Sequence, residues 1–245
     1  MSPFIGEIVG TMLLILLGNG VVANALLKDT KGNNSGWVVI TLAWGFAVYV
    51  GVLVAAPISG AHLNPAVTVG LAVAGKFSWD SVVIYIIGQA IGAAIGSVLI
   101  VASYYHHYIA TSEKDLKLAT FATGPAIRSP IFNFITEMIG TFVLVYAVLY
   151  IAGPTFTASG VDNAVIGLGS LGALPVAIIV IVIGMSLGGP TGYAINPARD
   201  LIPRVMHGLL PIGEKRDSDW SYAWVPVFGP ILGGIIAAGL FLWLG

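Results

Sequence analysis

The chain has 245 residues, of which 57% are apolar and only 9% are charged, and its mean hydropathy is +0.95. Soluble domains carry roughly 25% charged residues, whereas residues 81–112, 163–198 and 220–245 carry no formal charge. Runs longer than about 18 apolar residues are typical of membrane-spanning helices. The composition therefore predicts an all-α polytopic membrane protein and excludes an ordinary soluble domain. The net charge of −1 indicates no nucleic-acid partner, and the absence of cysteine excludes disulfides and thiolate chemistry.

In chain order, the sequence predicts six apolar spans, and a short broken segment follows the second and the fifth. The spans cover about 3–27, 37–56, 79–105, 130–152, 173–187 and 220–245. The short segments, 64–75 and 196 to about 206, each follow a Gly-containing bend, at 59–63 and 188–195. A 12-residue helix such as 64–75 is about 18 Å long, roughly half of a 30 Å hydrocarbon core. Both segments are therefore predicted to be re-entrant half-helices.

Two further stretches separate the spans. The polar segment 106–129 is the longest candidate loop, and the Gly/Ser/Thr-rich stretch 153–172 is a candidate for partly embedded backbone.

The chain also repeats itself. A Glu-x-x-Gly-Thr motif occurs at residues 7–11 and again at 137–141, and an Asn-Pro-Ala motif occurs at 64–66 and at 196–198. Each unit holds three spans, and an odd number makes the second copy enter the membrane from the opposite side. We therefore expect one channel-like domain, 1–245, built from inverted repeats at about 1–106 and 130–245 joined by loop 107–129. The functional site of such a fold is expected near the midplane.

The two Asn-Pro-Ala motifs are the predicted centre of that site. Asparagine is a preferred helix cap and proline is preferred at the first helical position. The motif residues are Asn64, Pro65, Ala66, Asn196, Pro197 and Ala198. Irregular backbone at membrane depth is tolerated only inside protein or along a water-filled cavity, so the two half-helices should meet at their N-termini. The partial positive charge there repels cations and protons.

The groups around this meeting point suit small neutral solutes. Each asparagine NH₂ group is free to donate into a lumen while its oxygen caps the helix. The bends before the asparagines supply unpaired carbonyl acceptors. These belong to Gly60, Ala61, His62, Gly192, Tyr193 and Ala194.

Other polar residues in the apolar part of the chain each have two interpretations. Arg199 lies on a similar helix face to Asn196, and a buried arginine indicates function, although it would also fit a salt bridge at the loop edge. Glu7 and Glu137 would fit proton or ion coupling, but their matching positions favour anchoring the N–H groups of one bend each. His62 borders the lumen or is an ordinary core histidine.

Three polar residues have simpler interpretations. Asp200 points away from the lumen and is expected in a local salt bridge or loop anchor. His106 and His107 lie at a loop edge with no metal-ligand spacing. The chain offers no nucleophile–base pair, phosphate loop or metal motif, so no enzyme activity, cofactor or metal is expected.

These motifs resemble the aquaporin and glycerol-facilitator family, the major intrinsic proteins, over essentially the whole chain. The resemblance rests on SGAHLNPAVT at 59–68, on TGYAINPARD at 191–200 and on both Glu-x-x-Gly-Thr motifs. It implies six transmembrane helices and two half-helices around one pore per subunit, usually in a homotetramer. It also implies a multi-pass protein of the cell membrane, surrounded by the lipid bilayer, with cytoplasmic termini.

The family's outer constriction separates water-only channels from glycerol channels, and its positions are matched here by Trp44, Gly184, Tyr193 and Arg199. Glycerol channels resemble this chain at Trp44, whereas water-only channels have histidine at the position of Gly184. Tyr193 departs from the usual phenylalanine. Glycerol-subgroup features also occur at Asp200, Arg204 and Pro226-Val227. The expected solutes are therefore glycerol, water and other small uncharged molecules such as urea.

Three alternatives to a glycerol channel remain at this point. A water-selective channel is disfavoured by Gly184, and a scaffold role would leave the Arg199 ring unexplained. An ion-coupled secondary transporter shares inverted repeats and broken helices, but only Glu7 and Glu137 would be available to bind a coupling ion. The distribution of positive charge argues against the expected orientation. The expected cytoplasmic side holds one Lys or Arg residue, Lys76, whereas the other side holds eight when Arg199 is left out as a pore residue. Cytoplasmic loops usually carry the excess of Lys and Arg.

Overall fold

The computed structural model describes residues 2–151 and 167–245. Within these ranges all regular secondary structure is helical. The α-helices are α1 (Pro3–Leu26), α2 (Trp37–Ser59), α3 (Pro65–Val73), α4 (Val82–Ala110), α5 (Lys114–Ala119), α6 (Pro130–Leu149), α7 (Leu174–Leu187), α8 (Pro197–Leu209) and α9 (Val225–Leu244). Short 3₁₀ turns, Trp79–Ser81 and Gly169–Ala173, lead directly into α4 and α7.

Six helical segments of the described chain are long and apolar enough to cross a membrane: α1, α2, α4, α6, α7 and α9, with the 3₁₀ turns included. The helices α3 and α8 are too short to do so and occupy the places predicted for the half-helices. The predicted architecture of six spans and two half-helices is therefore confirmed.

Several predicted boundaries differ from the structure. Pro57 lies inside α2 instead of ending it, and the helix ends at Ser59, where Gly60 has a left-handed φ of 81°. Proline removes one helical hydrogen bond without stopping the next turn, whereas glycine adopts the left-handed cap without strain. The polar segment 106–129 is also less of a loop than predicted, since α4 continues to Ala110 and α5 follows. Helix α9 begins at Val225, after the predicted start of the sixth span.

The stretch 153–172 predicted as partly embedded lies, up to residue 166, outside the described residues. Its last part belongs to the Gly169–Ala173 turn that precedes α7.

The two halves of the chain pack in matching ways, and the half-helix of each half packs against the other half. Helix α1 packs along α2 and α4, while α6 packs along α9 and α7. Helix α3, from the first half, lies against α9, and α8, from the second half, lies against α4. Each half-helix is therefore supported by the last long helix of the other half, and this holds both half-helix tips near the centre of the bundle.

Glycine makes the closest helix contacts possible. A methyl group on Gly92 of α4 would lie 2.3 Å from the Ile8 carbonyl oxygen of α1. Gly233 of α9 takes the matching place, where a methyl group would lie 2.2 Å from the Met138 carbonyl oxygen of α6. Small residues at such crossings let backbones approach where lipid offers no hydrophobic driving force.

Candidate functional site

Both half-helices begin at an asparagine cap. Asn64 has an extended backbone, with φ −157°, and its Oδ1 accepts the Ala66 N–H at 2.8 Å. Asn196 has φ −154°, and its Oδ1 accepts the N–H groups of Ala198 at 3.0 Å and Arg199 at 3.2 Å. A proline at the next position removes one N–H that would lack a partner. The amide oxygens are therefore committed to the helices, which leaves both NH₂ groups facing away from them.

The two asparagines also tie the half-helix tips to each other. Asn64 Nδ2 donates to the Ile195 carbonyl at 2.8 Å, and Asn196 Nδ2 donates to the Leu63 carbonyl, also at 2.8 Å. Each asparagine thus bonds the carbonyl that immediately precedes the other. Sequence reasoning assigned the NH₂ groups to a lumen and missed this reciprocal pair. One amide hydrogen of each side chain remains available, because an NH₂ group carries two donors.

The Glu7 carboxylate holds the first bend. Its Oε1 accepts the His62 N–H at 3.0 Å and the Ser59 hydroxyl at 2.7 Å. Its Oε2 accepts the Leu63 N–H at 2.8 Å and the Gln89 amide at 2.7 Å. The side chain is fully buried, so these four bonds replace the water that an ionised carboxylate would otherwise need.

Glu137 holds the second bend in the same way. Its Oε1 accepts the Ala194 N–H at 2.9 Å and its Oε2 accepts the Ile195 N–H at 2.8 Å. The side chain is buried. Both carboxylates therefore bond two consecutive backbone N–H groups, which leaves little capacity for a coupling cation.

The bends carry backbone strain that these carboxylates compensate. Gly60 and Gly192 each have φ 81°, but residues with side chains also adopt positive φ. These are Ala61 at 55°, Leu63 at 52°, Tyr193 at 37° and Ile195 at 42°. Each costs roughly 1–2 kcal/mol. Because both bends repeat the same pattern, the strain reflects a shared requirement, namely to turn N–H groups toward the glutamates and carbonyls away from them.

A cavity of about 330 Å³ lies between the bends and the helices, and residues of two kinds line it. The hydrogen-bonding part of the lining contains both cap asparagines, Arg199 and the bend residues 60–63 and 193–195. The rest of the lining is mostly aliphatic, with side chains such as Val48, Leu144 and Val180. Of the predicted carbonyl residues, Gly192 lies outside the lining, and a methyl group on it would lie 3.3 Å from Thr123 Cβ.

Trp44, Tyr193 and Arg199 meet at one part of this cavity. The Arg199 Cζ atom lies 4.1 Å from the centroid of the Trp44 ring, a close cation–π contact. All three side chains are buried and line the cavity. The guanidinium group therefore stacks directly on the tryptophan ring.

A glycine at position 184, where water-only channels have histidine, would widen the cavity if it lined it. It is not part of the lining. A methyl group on it would lie 2.8 Å from Tyr193 Cζ and 2.9 Å from Thr41 Cγ2. The space left by Gly184 is thus filled by the Tyr193 ring, which withdraws from the cavity. The Tyr193 hydroxyl is buried and has no hydrogen-bond partner among the described residues.

Sequence reasoning missed the role of Trp37 at this point. Its Nε1–H donates to the Gly184 carbonyl at 3.0 Å, and its ring meets Tyr193 edge-on, with centroids 5.7 Å apart. The sequence does contain a signal for this residue. Trp37 and Trp44 are seven residues apart, which is about two helical turns, so both rings lie on one side of α2.

Asp200 lies beside the cavity and not in it. Its Oδ1 pairs with Arg204 at 2.8 Å, and its Oδ2 accepts the N–H and the hydroxyl of Thr123, both at 2.7 Å. Arg204 also donates to the Thr123 and Ser218 carbonyls at 2.8 Å each. Both charged side chains are fully buried. A fully bonded pair of this kind fastens the segment before α6 to α8, next to Arg199.

His62 has both of its predicted surroundings. Its Nδ1 lies 3.1 Å from Thr68 Oγ1, and its ring packs against Phe77 and Tyr85. It also lines the cavity. Among the described residues no group of three or more His, Asp or Glu side chains is placed to hold a metal ion.

Comparison with known proteins identifies the family. The family model described as Major intrinsic protein matches residues 1–241. The chain is 53% identical to the "Probable glycerol uptake facilitator protein" of Thermotoga maritima, with 100% of both chains covered. It is 52% identical to "Glycerol uptake facilitator protein 3" of Lactiplantibacillus plantarum, covering 97% of this chain and 94% of the relative. Among solved structures it is similar to the aquaglyceroporin from Plasmodium falciparum, with TM-score 0.81, 32% identity and coverage of 97% and 93%.

Replacing Glu137 with glutamine tests how firmly the second bend depends on its carboxylate. Glutamine keeps one oxygen for one N–H but turns an NH₂ group toward the other, so we expect a loss of about 1–3 kcal/mol in stability. Thermal unfolding in detergent, followed by tryptophan fluorescence, measures the effect. The matched control is Glu113→Gln at an exposed glutamate. Equal melting temperatures for the two variants would contradict the anchoring role.

Proposed function

The chain belongs to the major intrinsic protein family, and from this premise we propose that it is a passive transmembrane channel for glycerol and other small neutral solutes. It also conducts water and excludes ions and protons. The observation that carries the proposal is the cavity lining, which combines hydrogen-bonding groups with aliphatic side chains. The carbon edge of a polyol fits the aliphatic side chains while its hydroxyl groups bond the polar groups.

The proposed route follows the polar part of the cavity lining. Bend carbonyls accept hydrogen bonds from a solute on each side of the centre, and Asn64 and Asn196 donate to it at the centre. The proposed selectivity group consists of Trp44, Tyr193 and Arg199, with Gly184 behind it. Arg199 donates to solute hydroxyl groups there, and the two aromatic rings take the carbon edge.

Exclusion of ions follows from the same groups. Two helix N-termini point at the centre and make it unfavourable for cations, including hydronium. A proton also needs an unbroken chain of water molecules that donate and accept in turn, and the asparagine donors fix the orientation of the molecule they bind. Glu7 and Glu137 use their oxygen atoms for the bends, which disfavours a coupled transporter.

The relatives support the choice of solute. Those from Thermotoga maritima and Lactiplantibacillus plantarum are named as glycerol uptake facilitators, and they are about half identical to this chain. The proposed assembly is a homotetramer in the cell membrane. Each subunit forms one domain of two inverted repeats, 1–106 and 130–245, and contains its own pore.

We also propose cytoplasmic termini, although the loop charges argue otherwise. Several of the cations that oppose this orientation have structural partners. Arg204 is buried against Asp200, Lys117 Nζ donates to two backbone carbonyls, and Lys215 Nζ donates to three carbonyls near the end of α8. Burial also lowers the pKa of the Lys117 ammonium group below its ordinary value. Their presence is thus explained by loop folding rather than by orientation.

Glycerol flux tests the proposed function directly. Proteoliposomes mixed with hyperosmotic glycerol in a stopped-flow instrument should re-swell much faster than empty liposomes, and the rate should not respond to a proton or sodium gradient. Glycerol entry no faster than in empty liposomes would overturn the proposal. Uptake that needs a gradient would favour a coupled transporter.

A Gly184→His variant should lose glycerol permeability more than water permeability. The new side chain needs the space that the Tyr193 ring fills, so the ring must move toward Trp44 and Arg199. Gly189→His is a matched control, because no atom of the described chain lies within 4 Å of a methyl group placed there. Equal loss of both fluxes, or none, would contradict the role assigned to Gly184.

Single cysteines test the orientation, since the chain has none of its own. Ser112→Cys and Ser78→Cys place thiols at exposed positions on opposite sides of the membrane. In intact cells a membrane-impermeant maleimide should label Ser112→Cys at once and Ser78→Cys only after permeabilisation. The reverse pattern would place the termini outside.

A further inference from the structure

The Trp44 ring lies directly against the backbone of α1 at Gly18. A methyl group on Gly18 would lie 2.3 Å from Trp44 Cζ3, 2.4 Å from Cε3 and 2.6 Å from Cη2. Near-equal distances to three consecutive ring atoms place that carbon over the face of the ring and not at its edge. Gly18 itself is not part of the cavity lining.

Arg199 stacks on the same ring, with its Cζ 4.1 Å from the ring centroid. Because one face of an indole has no room for both a guanidinium group and a helix backbone, Arg199 must take the face opposite Gly18. Trp44 is therefore held between α1 and Arg199. Because Trp44 lines the cavity and Gly18 does not, any displacement of the ring away from Gly18 moves it toward Arg199 and the cavity.

Tyr193 has a glycine behind it in the same manner. A methyl group on Gly188 would lie 2.5 Å from Tyr193 Cδ1 and 2.8 Å from Trp37 Cζ2. It would also lie 2.5 Å from the Gly184 carbonyl oxygen. Gly188 has φ −75°, which any residue adopts. Glycine is therefore needed at this position for its small size and not for its backbone freedom.

Resting on the proposed function, we propose that Gly18 and Gly188 are specificity-determining positions for the solute, although neither touches it. By having no side chain they let the rings of Trp44 and Tyr193 withdraw from the cavity, and so they set the width of the passage beside Arg199. Ordinary contact begins near 3.4 Å, so a methyl group on Gly18 requires the Trp44 ring to move by about 1 Å.

Helix packing does not account for Gly18. At Gly92 and Gly233 the nearest atom to an added methyl group is a backbone carbonyl oxygen of the neighbouring helix, whereas at Gly18 the three nearest atoms all belong to the Trp44 ring. Closely packed interiors transmit such a change to the next side chain. The expected consequence of a substitution at Gly18 is therefore a change in the lining, at the ring that the solute passes.

The test compares alanine at each position with alanine at a neighbouring glycine. Gly20 lies on α1 and Gly189 follows Gly188, and apart from the adjoining backbone no described atom lies within 4 Å of a methyl group at either. Alanine gains the same helix propensity at Gly18 as at Gly20. The measurement is the ratio of glycerol to water permeability in the same proteoliposomes, because this ratio does not depend on how much protein is folded or inserted.

We expect Gly18→Ala and Gly188→Ala to lower this ratio by about tenfold, which corresponds to about 1.4 kcal/mol in the relative barrier. Gly20→Ala and Gly189→Ala should keep the wild-type ratio. Combining Gly18→Ala with Trp44→Phe should raise the ratio above that of Gly18→Ala, since a smaller ring accommodates the methyl group.

Provided that the wild type conducts glycerol, two outcomes would overturn the inference. One is that Gly18→Ala and Gly20→Ala have the same ratio of glycerol to water permeability. The other is that Gly18→Ala loses glycerol and water flux in parallel and that Trp44→Phe does not restore them. If Gly18→Ala fails to insert, the permeability ratio of Gly188→Ala is compared with that of Gly189→Ala, and equal ratios would overturn the inference. Failure of the proposed function itself is distinguishable, since the wild type would then show no glycerol flux above empty liposomes.

Discussion

The structure depends on satisfying irregular backbone at membrane depth, where no bulk water is available to pair with it. Two buried carboxylates accept the N–H groups of the bends, and two asparagines cap the half-helices while bonding the carbonyls opposite. Unpaired, each such group would cost several kcal/mol. Because Glu7 and Glu137 take the donors, the remaining carbonyls can turn toward the cavity, and the polar part of its lining results from a structural requirement.

The reciprocal asparagine bonds have a second consequence, which is alignment. Each half-helix belongs to one half of the chain but packs on the last long helix of the other, so small errors in packing would separate the tips. The bonds from Asn64 to Ile195 and from Asn196 to Leu63 join the tips directly, and both measure 2.8 Å. They hold the two positive helix ends close despite their repulsion, and cation exclusion requires that proximity.

The sequence predicts the large features well because each rests on local chemistry. Apolar runs, proline and asparagine identify the spans and the half-helix starts, and the repeated Glu-x-x-Gly-Thr motif identifies the paired glutamates. The extension of α2 beyond Pro57 was missed, because one lost hydrogen bond does not outweigh the packing of a long helix. The pairs that connect distant parts of the chain, such as Asn64 with Ile195 or Asn196 with Leu63, depend on three-dimensional placement and leave no local pattern.

Gly184 illustrates why residue identity at a constriction needs a structure to interpret it. From the sequence, a glycine where related channels have histidine indicates a wider passage. In the structure the space is filled by Tyr193, whose ring rests on Gly184 and Gly188 and meets Trp37. Trp44 rests on Gly18 in the same way. On the proposal made above, the aperture depends on how far two aromatic rings withdraw into recesses that glycine leaves open, so residues behind the lining also restrict the solute.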